Sequence, residues 1–442
     1  MIFLTQRDAL DWTYLAEGNA NLVLKYIGKD PQLMGRVLRL AKLKTTDNKD
    51  KQSSQDFNEQ FSKHIIGKLV GPHYISDTIQ IQVDESFITL VESNLQENRC
   101  IKRRKDHLQR QPTAFLMKDL TLSFTPNGTW TFEIKPKWGF LPNSKWIDKQ
   151  HQQLKMEKCR FCMHQRLRNK KHDSTRKNKK DEDEMEGYYC PLDLYSGDPH
   201  RMKRALRTSL TIPHSYLKLF YNGQPANSLS ERYNYLHLLL PHLETATLIS
   251  QVTDLLVTIL LKDPILQRLK QLQRSLDALD IEGIFPIYQK YTNEDSNDIQ
   301  STCYDIDFWR SILENFLIRL TNNSETVNPS LVDHDIQRIY EYLLSMTLKD
   351  CSIMISISPT TTTATATDNG KNNNNSLENK IITINSDEHD HQGYHYFNYD
   401  IKLVDVDMKK WNKIPYWFEL DRQIIDYNLQ IPCDRKCLDS IL

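Results

Sequence analysis

Two different apolar spacings divide this chain, and they limit its fold more than any other feature of the sequence. Near the N-terminus, β-favouring runs at residues 12–16 and 22–27 are separated by a small polar turn. Farther along, apolar residues recur three and four positions apart, as in Ile336, Ile339 and Leu343. A β-rich first part followed by a helix-rich second part with a few strands predicts an α+β fold with two lobes.

The same patterning predicts individual elements along the chain. Further strands are predicted at residues 37–40, 113–119, 130–134, 352–358 and 401–406. Helices are predicted at residues 57–69 and 149–168, through most of 216–291, at 332–348, and from about Leu420 onward. Asn127-Gly128 is a strong turn signal and favours a hairpin between the strands at 113–119 and 130–134.

Composition limits the class of protein. The 442 residues include 57 basic and 57 acidic side chains, and this balance is unlike that of a general nucleic-acid binder. The most apolar stretch, residues 255–261, is far shorter than the roughly 20 residues that span a membrane. The first residues also lack the pattern of a signal peptide. Eight cysteines in so long a chain favour a reducing compartment over a disulfide framework.

Two polar segments are predicted to be disordered. Residues 169–187 contain a basic run followed by an acidic run, which is typical of a solvated loop. Residues 359–378 are rich in threonine and then in asparagine, and they cannot bury enough apolar area to offset the entropy of ordering.

A small polar turn, Glu17-Gly18-Asn19-Ala20-Asn21, joins the first two predicted strands. A nucleotide cradle needs backbone N–H groups close to phosphate oxygens, and small residues such as Gly18 and Ala20 permit that approach. Ordinary hairpin connections have the same composition, so a plain turn is the alternative.

Two lysines follow the strand at 130–134, in the segment Glu133-Ile134-Lys135-Pro136-Lys137. In an extended chain, side chains two positions apart point to the same side, and Pro136 stiffens the segment. Two preset cations suit a polyanionic phosphate ligand. The alternative is a solvated strand end.

Acidic residues stand at the ends of predicted elements near the C-terminus. Asp350 ends a helix, whereas Asp405 and Asp407 close the strand at 401–406. Phosphoryl transfer needs one carboxylate to orient the acceptor hydroxyl and another to hold Mg²⁺. Asp405 and Asp407 share one side of their strand, so they are candidates for a common metal. Aspartate is also common at element ends without any such role.

Basic residues cluster in three places. The clusters are Arg99, Lys102, Arg103, Arg104 and Lys105; Arg160, Arg166 and Arg168; and Lys409, Lys410 and Lys413. A ligand with many phosphates requires such cations to converge from different segments. Separate solvated faces are the alternative.

Cysteine and histidine residues form one candidate metal site. Cys159, Cys162 and His164, with Cys190 downstream, could hold structural Zn²⁺ through three sulfurs and one nitrogen. The spacing is not a strong zinc signature, and partly buried free thiols are the alternative.

Taken together, several segments resemble the inositol-pentakisphosphate 2-kinase family, in its non-plant, fungal-like form. The most specific are Glu-Ile-Lys-Pro-Lys at 133–137 and Lys-Asp-Cys-Ser-Ile-Met at 349–354. The others lie, in the order expected for the family, at residues 14–23, 138–142, 159–165, 191–197 and 279–283. The resemblance covers almost the whole chain.

The resemblance implies a protein-kinase-like fold, with a β-rich N-lobe at residues 1–119 that binds nucleotide and a C-lobe at 120–442. An inositol-phosphate-binding helical insert would occupy about 150–330 of the C-lobe. It also implies transfer of the ATP γ-phosphate to the 2-hydroxyl of inositol 1,3,4,5,6-pentakisphosphate, giving the hexakisphosphate. The alternatives are an inactive inositol-phosphate-binding scaffold and a multikinase that acts on lower inositol phosphates.

The resemblance also assigns roles to single residues. Asp350 would be the catalytic carboxylate, and Lys135 would also neutralise charge on the transferring group. Nucleotide would contact Gly18, Asn19, Ala20, Asn21, Arg39, Met117 and Asp119. The inositol phosphates would be held by Arg103, Lys135, Lys137, Arg168, Lys409 and Lys413, with Arg99 and Arg160 as weaker candidates. Asp405 would bind Mg²⁺, assisted by Asp407.

These assignments carry expectations about partners and location. The expected partner is a small molecule, inositol pentakisphosphate, rather than a membrane or a nucleic acid. The expected state is a monomer inside the cell, in the nucleus, the cytoplasm or both.

Overall fold

The computed structural model describes residues 2–18, 21–43, 52–122, 127–173, 189–212, 216–241, 243–293, 304–322, 333–360, 380–385, 394–431 and 435–440. Within these ranges the chain forms two six-stranded sheets, and most of its helices belong to the second part of the sequence. The predicted α+β class is therefore confirmed.

The first sheet is built from residues 3–118. It contains β1 (Phe3–Leu4), β2 (Trp12–Glu17), β3 (Asn21–Tyr26), β4 (Arg36–Ala41), β5 (Thr78–Val83) and β6 (Thr113–Lys118). The spatial order is β1-β5-β6-β4-β3-β2, and all neighbours are antiparallel except β1 with β5. Alternation along β3 buries Leu22, Leu24 and Tyr26 on one face, so the period of two in the sequence reflects a one-sided core.

The second sheet is antiparallel throughout. It contains β7 (Trp130–Ile134), β8 (Leu217–Tyr221), β9 (Gln224–Pro225), β10 (Ser352–Thr360), β11 (Lys380–Asn385) and β12 (Tyr394–Val404). The order is β11-β12-β10-β7-β8-β9, which places β10 near the centre. Residues 352–358 of β10 are almost all buried, as expected for a strand covered on both faces.

Helices supply the rest of the described structure. They are α1 (Gln52–Phe61), α2 (Gly67–Val70), α3 (Glu85–Asn94), α4 (Lys149–Glu157), α5 (Arg160–Asp173), α6 (Pro191–Leu194), α7 (Pro199–Thr211), α8 (Leu229–Leu239), α9 (Thr245–Lys262), α10 (Ile265–Leu276), α11 (Asp280–Asn293), α12 (Ile306–Asn322), α13 (His334–Asp350) and α14 (Ile414–Gln430). A π turn (Ser62–Ile66) joins α1 to α2, and short 3₁₀ turns occur at Gln6–Asp11, Pro72–Tyr74, Ile101–Arg103 and Trp411–Lys413.

The helical run formed by α1, the π turn and α2 packs into the larger core, while Glu59 of α1 also contacts Arg39 on β4 of the first sheet. Its side chains belong to the larger core of the second part, where the Phe61 ring lies 4.9 Å from the ring of Trp309 on α12. The run ends at Gly71, whose φ of +111° suits glycine best. This packing fixes α1 between the two sheets.

The predicted hairpin at Asn127-Gly128 is wrong. Strand β6 pairs with β4 and β5, whereas β7 pairs with β8 and β10, so the two strands belong to different sheets. The turn residues instead serve the second sheet, where Asn127 Nδ2 donates to the Pro359 carbonyl at 3.2 Å. Tertiary pairing has overridden a local turn signal.

Other predicted boundaries also change. The helix at 149–168 is two helices, because Lys158 adopts an extended conformation between α4 and α5. The final helix begins at Ile414 rather than near Leu420, with a proline in its first turn. Residues 169–173 of the first segment predicted to be disordered are helical, and 359–360 of the second belong to β10. The remainder of both segments lies outside the described residues.

Helix α9 has the length and composition of a membrane span, with 18 residues and a mean hydropathy of 1.3. Half of it is buried within the protein, where Leu248, Val252 and Ile259 join the larger core. Core helices of this kind pass the same test, so the signal is weak.

Candidate functional site

Sheet topology brings the predicted acids and lysines to one edge of the second sheet. Strand β10 is antiparallel to both β7 and β12, so its first residues lie beside the last residues of both neighbours. Ser352 pairs with Val404, and Ile353 pairs with Ile134. The segments that follow β7 and β12 therefore meet the end of α13, which immediately precedes β10.

Asp350 is the centre of this meeting point. It ends α13, whose residues from Ile336 to Lys349 are all buried, but its own side chain is 54% exposed. Its Oδ1 lies 3.0 Å from Lys137 Nζ, and its Oδ2 lies 2.7 Å from Lys409 Nζ. Burial would raise the pKa of Asp350, but Lys409 and Lys137 outweigh it and lower that pKa to about 2. Asp350 is therefore a carboxylate at neutral pH.

The extended conformation predicted for the segment with Lys135 and Lys137 is wrong at one of the two residues. Lys137 has a φ of +61°, so the segment is not extended at that residue. Both lysines still reach the acids, because Lys135 Nζ lies 3.5 Å from Asp405 Oδ2. Burial opposes protonation of Lys135, but Asp405 and the nearby Glu133 outweigh it and raise its pKa. Lys135 thus remains a cation.

Asp407 connects this edge to the first sheet. Arg39 on β4 lies with Nη2 3.3 Å from Asp407 Oδ1 and with Nη1 3.4 Å from Glu59 on α1. Burial opposes the charge on Arg39, but Asp407 and Glu59 outweigh it and raise its pKa. The predicted site therefore includes a residue from each sheet, and no sequence pattern identifies Glu59 as the partner of Arg39.

The candidate nucleotide turn is tied down by buried charges. Glu17 accepts from Lys42 at 2.5 Å and from Arg99 at 3.0 Å, and Lys42 also donates to the Gly18 carbonyl at 2.9 Å. Arg103 donates to the Glu17 carbonyl at 2.8 Å, which places this predicted substrate residue at the turn.

Two further predictions concern this turn. Asn19 and Ala20 lie outside the described residues, while Asn21 begins β3. Arg99 is only 2% exposed, and its guanidinium is engaged by Glu17 and by the Asp106 carbonyl. Its position is that of a support for the turn.

Met117 and Asp119 lie at the end of β6, where the chain passes from the first sheet to the second. Met117 pairs with Val37 and Thr78, and Asp119 is buried, with Oδ1 accepting from Thr121. The carbonyl of Leu120 accepts hydrogen bonds from Thr131 on β7 and Ser356 on β10, at 3.1 and 2.8 Å. This crossing point is anchored to the second sheet.

The remaining predicted cations, Arg168, Lys413 and Arg160, have different partners in the structure. Arg168 on α5 is hydrogen-bonded to the Tyr216 side chain, and the Tyr216 carbonyl accepts from the amide of Lys135 at 2.8 Å. Lys413 has its ammonium 5.9 Å from the Tyr416 ring. Arg160 contacts Asp421 at 2.7 Å and the Trp138 ring at 4.7 Å. Arg168 is thus adjacent to the lysine segment, while Lys413 has no described contact with Asp350.

Three of the four residues predicted to bind zinc lie together in one cysteine cluster. The sulfurs of Cys159, Cys162, Cys190 and Cys437 all lie within 4.8 Å of one another. His164 is not part of this group, so its assignment is corrected to Cys437. Hydrogen bonding from the other three thiols lowers the pKa of Cys437 far below its usual value. Cys437 is remote in sequence, and the 2.8 Å bond from its amide to the Glu157 carbonyl brings it to the cluster.

A second acidic group surrounds a buried lysine. Lys155 Nζ lies 2.6 Å from Asp280, 2.8 Å from Glu282 and 2.8 Å from Asp421, and its side chain is 4% exposed. The three carboxylates are close enough together to hold a metal, but the ammonium of Lys155 already compensates their charge. The group joins α4, α11 and α14.

Comparison with known proteins gives one consistent result. The family model described as inositol-pentakisphosphate 2-kinase matches residues 14–423. The protein named inositol-pentakisphosphate 2-kinase IPK1 of Oryza sativa subsp. indica is 26% identical, over 96% of this chain and 95% of its own length. Proteins named inositol-pentakisphosphate 2-kinase from Arabidopsis thaliana and Danio rerio are each 24% identical, over 96% and 97% of this chain and 95% of their own lengths.

Proposed function

The chain belongs to the inositol-pentakisphosphate 2-kinase family, and we propose that it transfers the γ-phosphoryl group of ATP to the 2-hydroxyl of inositol 1,3,4,5,6-pentakisphosphate. The product would be inositol hexakisphosphate. The observation that carries this proposal is the convergence of Asp350 with Lys137 and Lys409, which come from three separate segments. A carboxylate held between two cations suits an acceptor that carries both a hydroxyl and phosphates.

In the proposed reaction, Asp350 orients the 2-hydroxyl and accepts its proton. The 2-oxygen forms a bond to the γ-phosphorus while the bond from that phosphorus to the bridging oxygen of ADP breaks. Lys137 and Lys409 bind phosphates of the acceptor. As they leave Asp350, its pKa rises from about 2, because the cations that depress it now face the phosphates. Binding of the acceptor thus makes Asp350 a stronger base.

Asp405 and Asp407 offer the oxygen ligands that Mg²⁺ prefers, and they are our candidates to hold it. The ion supplies charge neutralisation of the nucleotide phosphates when bound. Lys135 and Arg39, which contact these two acids, are also available to the phosphates. Lys135 adds positive charge where negative charge accumulates during transfer.

The nucleotide would lie between the two sheets, in a two-lobed, protein-kinase-like arrangement. The positions of the groups support this proposal: the turn at Gly18 and Asn21 belongs to the first sheet, and the acids belong to the second. The crossing segment with Met117 and Asp119 would contact the adenine. Arg103, beside the turn, and Arg168, beside Lys135, would hold further phosphates of the acceptor.

The test of this function is incubation with ATP, Mg²⁺ and each inositol pentakisphosphate isomer, followed by separation of the products. We expect the isomer with a free 2-hydroxyl to give the hexakisphosphate and the other isomers to remain unchanged. Comparable turnover of lower inositol phosphates would instead identify a multikinase. Tight binding without turnover would identify an inactive scaffold.

The four-cysteine group is a suitable donor set for structural zinc, so we include Zn²⁺ in the proposal. We expect one zinc per chain in metal analysis of the purified protein. Cys437→Ser should lower the zinc content and the thermal midpoint, because one of four sulfur ligands is lost. His164→Ala is the matched control and should retain the metal. Zinc that is lost from the histidine variant and retained by the cysteine variant would contradict the assignment.

A further inference from the structure

Gln273 lies beneath the proposed catalytic site and is fully buried, with 0% of its surface exposed. It belongs to α10, which packs against α13, and its backbone carbonyl accepts from Ser345 Oγ at 2.9 Å. A buried, uncharged side chain of this kind does not itself supply charge to the site. What distinguishes Gln273 is the set of groups that its side-chain amide contacts.

The Gln273 amide joins the two segments that carry Lys137 and Asp350. Its Oε1 accepts from the Gly139 amide at 2.8 Å, and its Nε2 donates to the Lys137 carbonyl at 3.0 Å. The same Nε2 donates to the Leu348 carbonyl at 3.0 Å, two residues before Asp350. One buried side chain therefore holds the lysine segment and the end of α13 together.

The Gln273 amide is the N–H donor to both carbonyls, which otherwise accept only from the Tyr195 hydroxyl at 3.5 Å (Lys137) and from the Cys351 thiol at 3.2 Å (Leu348). Lys137 has a φ of +61°, a conformation that is unfavourable for a residue other than glycine and persists when its surroundings hold it. Leu348 is in the last turn of α13, where carbonyls lack partners within the helix. A buried carbonyl left with only a long or a thiol hydrogen bond is poorly satisfied, so the Gln273 amide favours the observed separation of the two segments.

The residue between Lys137 and Gly139 is fixed independently. The ring of Trp138 contacts two cations, with Arg160 4.7 Å and Lys349 Nζ 4.2 Å from its centroid. Lys349 is itself 1% exposed and pairs with the buried Asp277. Because Lys349 directly precedes Asp350, this contact also connects the two segments.

We propose that Gln273 is a positioning residue that sets the separation between Lys137 and Asp350, and thereby the geometry in which Asp350 receives the acceptor hydroxyl. This role rests on the proposed function, because Asp350 acts as the base there. Gln273 itself does not touch the acceptor in this proposal. It acts on kcat through the carbonyl of Lys137 and the carbonyl of Leu348.

Two substitutions test the role. Gln273→Met removes these three hydrogen bonds, and also the 3.3 Å bond from Nε2 to the Tyr195 hydroxyl, while roughly keeping the volume. Gln273→Glu keeps the bond from Gly139 but, when ionised, presents a second oxygen to two carbonyls. We expect each to lower kcat about 10- to 100-fold at pH 8, since displacement of reacting groups by about 1 Å has effects of that size. KM for the pentakisphosphate should change less than kcat, because Lys409, Arg103 and Arg168 remain in place even if Lys137 is displaced.

The glutamate variant allows a measurement, the pH dependence of kcat, that distinguishes a positioning role from a purely structural one. Burial and the facing carbonyls raise the pKa of a glutamate at this site, so lower pH favours its neutral form. The neutral form has an O–H that donates to one of the carbonyls. We therefore expect the ratio of variant to wild-type kcat to rise between pH 8 and pH 6. A flat ratio, or an unchanged kcat in both variants, would overturn the proposal.

The matched control is Gln337→Met. Gln337 is also 0% exposed and lies on α13, but its amide serves Ile312 and Glu341 far from Asp350. We expect this variant to lose stability and retain kcat. Equal loss of kcat in the control would attribute the effect to general destabilisation and overturn the role of Gln273.

A crystal structure of the methionine variant gives a result that needs no turnover. We expect Lys137 Nζ and Asp350 Oδ1, 3.0 Å apart here, to separate. An unchanged distance would count against Gln273. If the wild-type protein instead prefers another inositol phosphate, the proposed substrate is wrong, and the same kcat comparison on the preferred compound decides the role of Gln273.

Discussion

Replacing Asp350 with alanine is expected to abolish turnover while binding of inositol pentakisphosphate is retained or strengthened. Loss of a general base typically lowers rates by about 10²–10⁴-fold. Binding should persist because Asp350 contacts Lys137 and Lys409, and its removal leaves both ammonium groups available to phosphates. Single-turnover kinetics and calorimetric titration measure the two effects separately.

The matched control for Asp350 is Asp335→Ala on the same helix. Asp335 lies in the first turn of α13 and pairs with Lys290 on the surface, at 3.1 Å. This variant should keep both turnover and affinity. Turnover by the Asp350 variant above roughly one hundredth of the wild-type rate would reject the base role. A large loss of affinity would instead assign Asp350 to substrate binding.

Replacing Lys155 with methionine is expected to be the most destabilising of the substitutions considered. Lys155 compensates three carboxylates, of which Asp280 and Asp421 are buried. Removing one partner from a buried ion pair typically costs about 3–5 kcal/mol, because the remaining charge is left uncompensated. Chemical denaturation at pH 8 should show this loss as a lower midpoint. Lys149→Met, an exposed position on the same helix, should change stability by no more than about 0.5 kcal/mol.

The pH dependence of the Lys155 variant has a definite sign. Burial raises the pKa of Asp280 to about 6 even beside Lys155, and without the ammonium this pKa lies still farther above that in the unfolded chain. The folded state then binds more protons than the unfolded state, so stability decreases as pH rises through the raised pKa. We expect part of the lost stability to return between pH 8 and pH 5. A loss that is the same at both pH values would contradict this account.

Much of the fold could be predicted because burial on one face imposes a regular spacing. Strand β3 and helix α10 are clear cases, since each buries residues at the period of its own element. The hairpin at Asn127-Gly128 failed because a turn signal is local, whereas the sheet to which a strand belongs depends on pairing with distant strands. The spacing of apolar residues does not indicate that β6 and β7 belong to different sheets.

The candidate site was predicted in its charged residues and missed in its supporting ones. Asp350, Lys135 and Lys137 stand in short segments that resemble a known family, and the structure brings them together. Cys437 and Gln273 escaped, because neither has a local motif and each acts through contacts made only after folding. Glu59 escaped for the same reason, as its partner Arg39 lies on another element.

The resting protein already balances each acid at the site with a lysine or an arginine. An incoming ligand therefore meets cations that already have carboxylate partners. Its negative groups must replace Asp350, Asp405 and Asp407 as the partners of those cations. Such an exchange disfavours molecules with few negative groups, because they form fewer new ion pairs than they break. We therefore expect this site to bind densely charged molecules in preference to molecules with little negative charge.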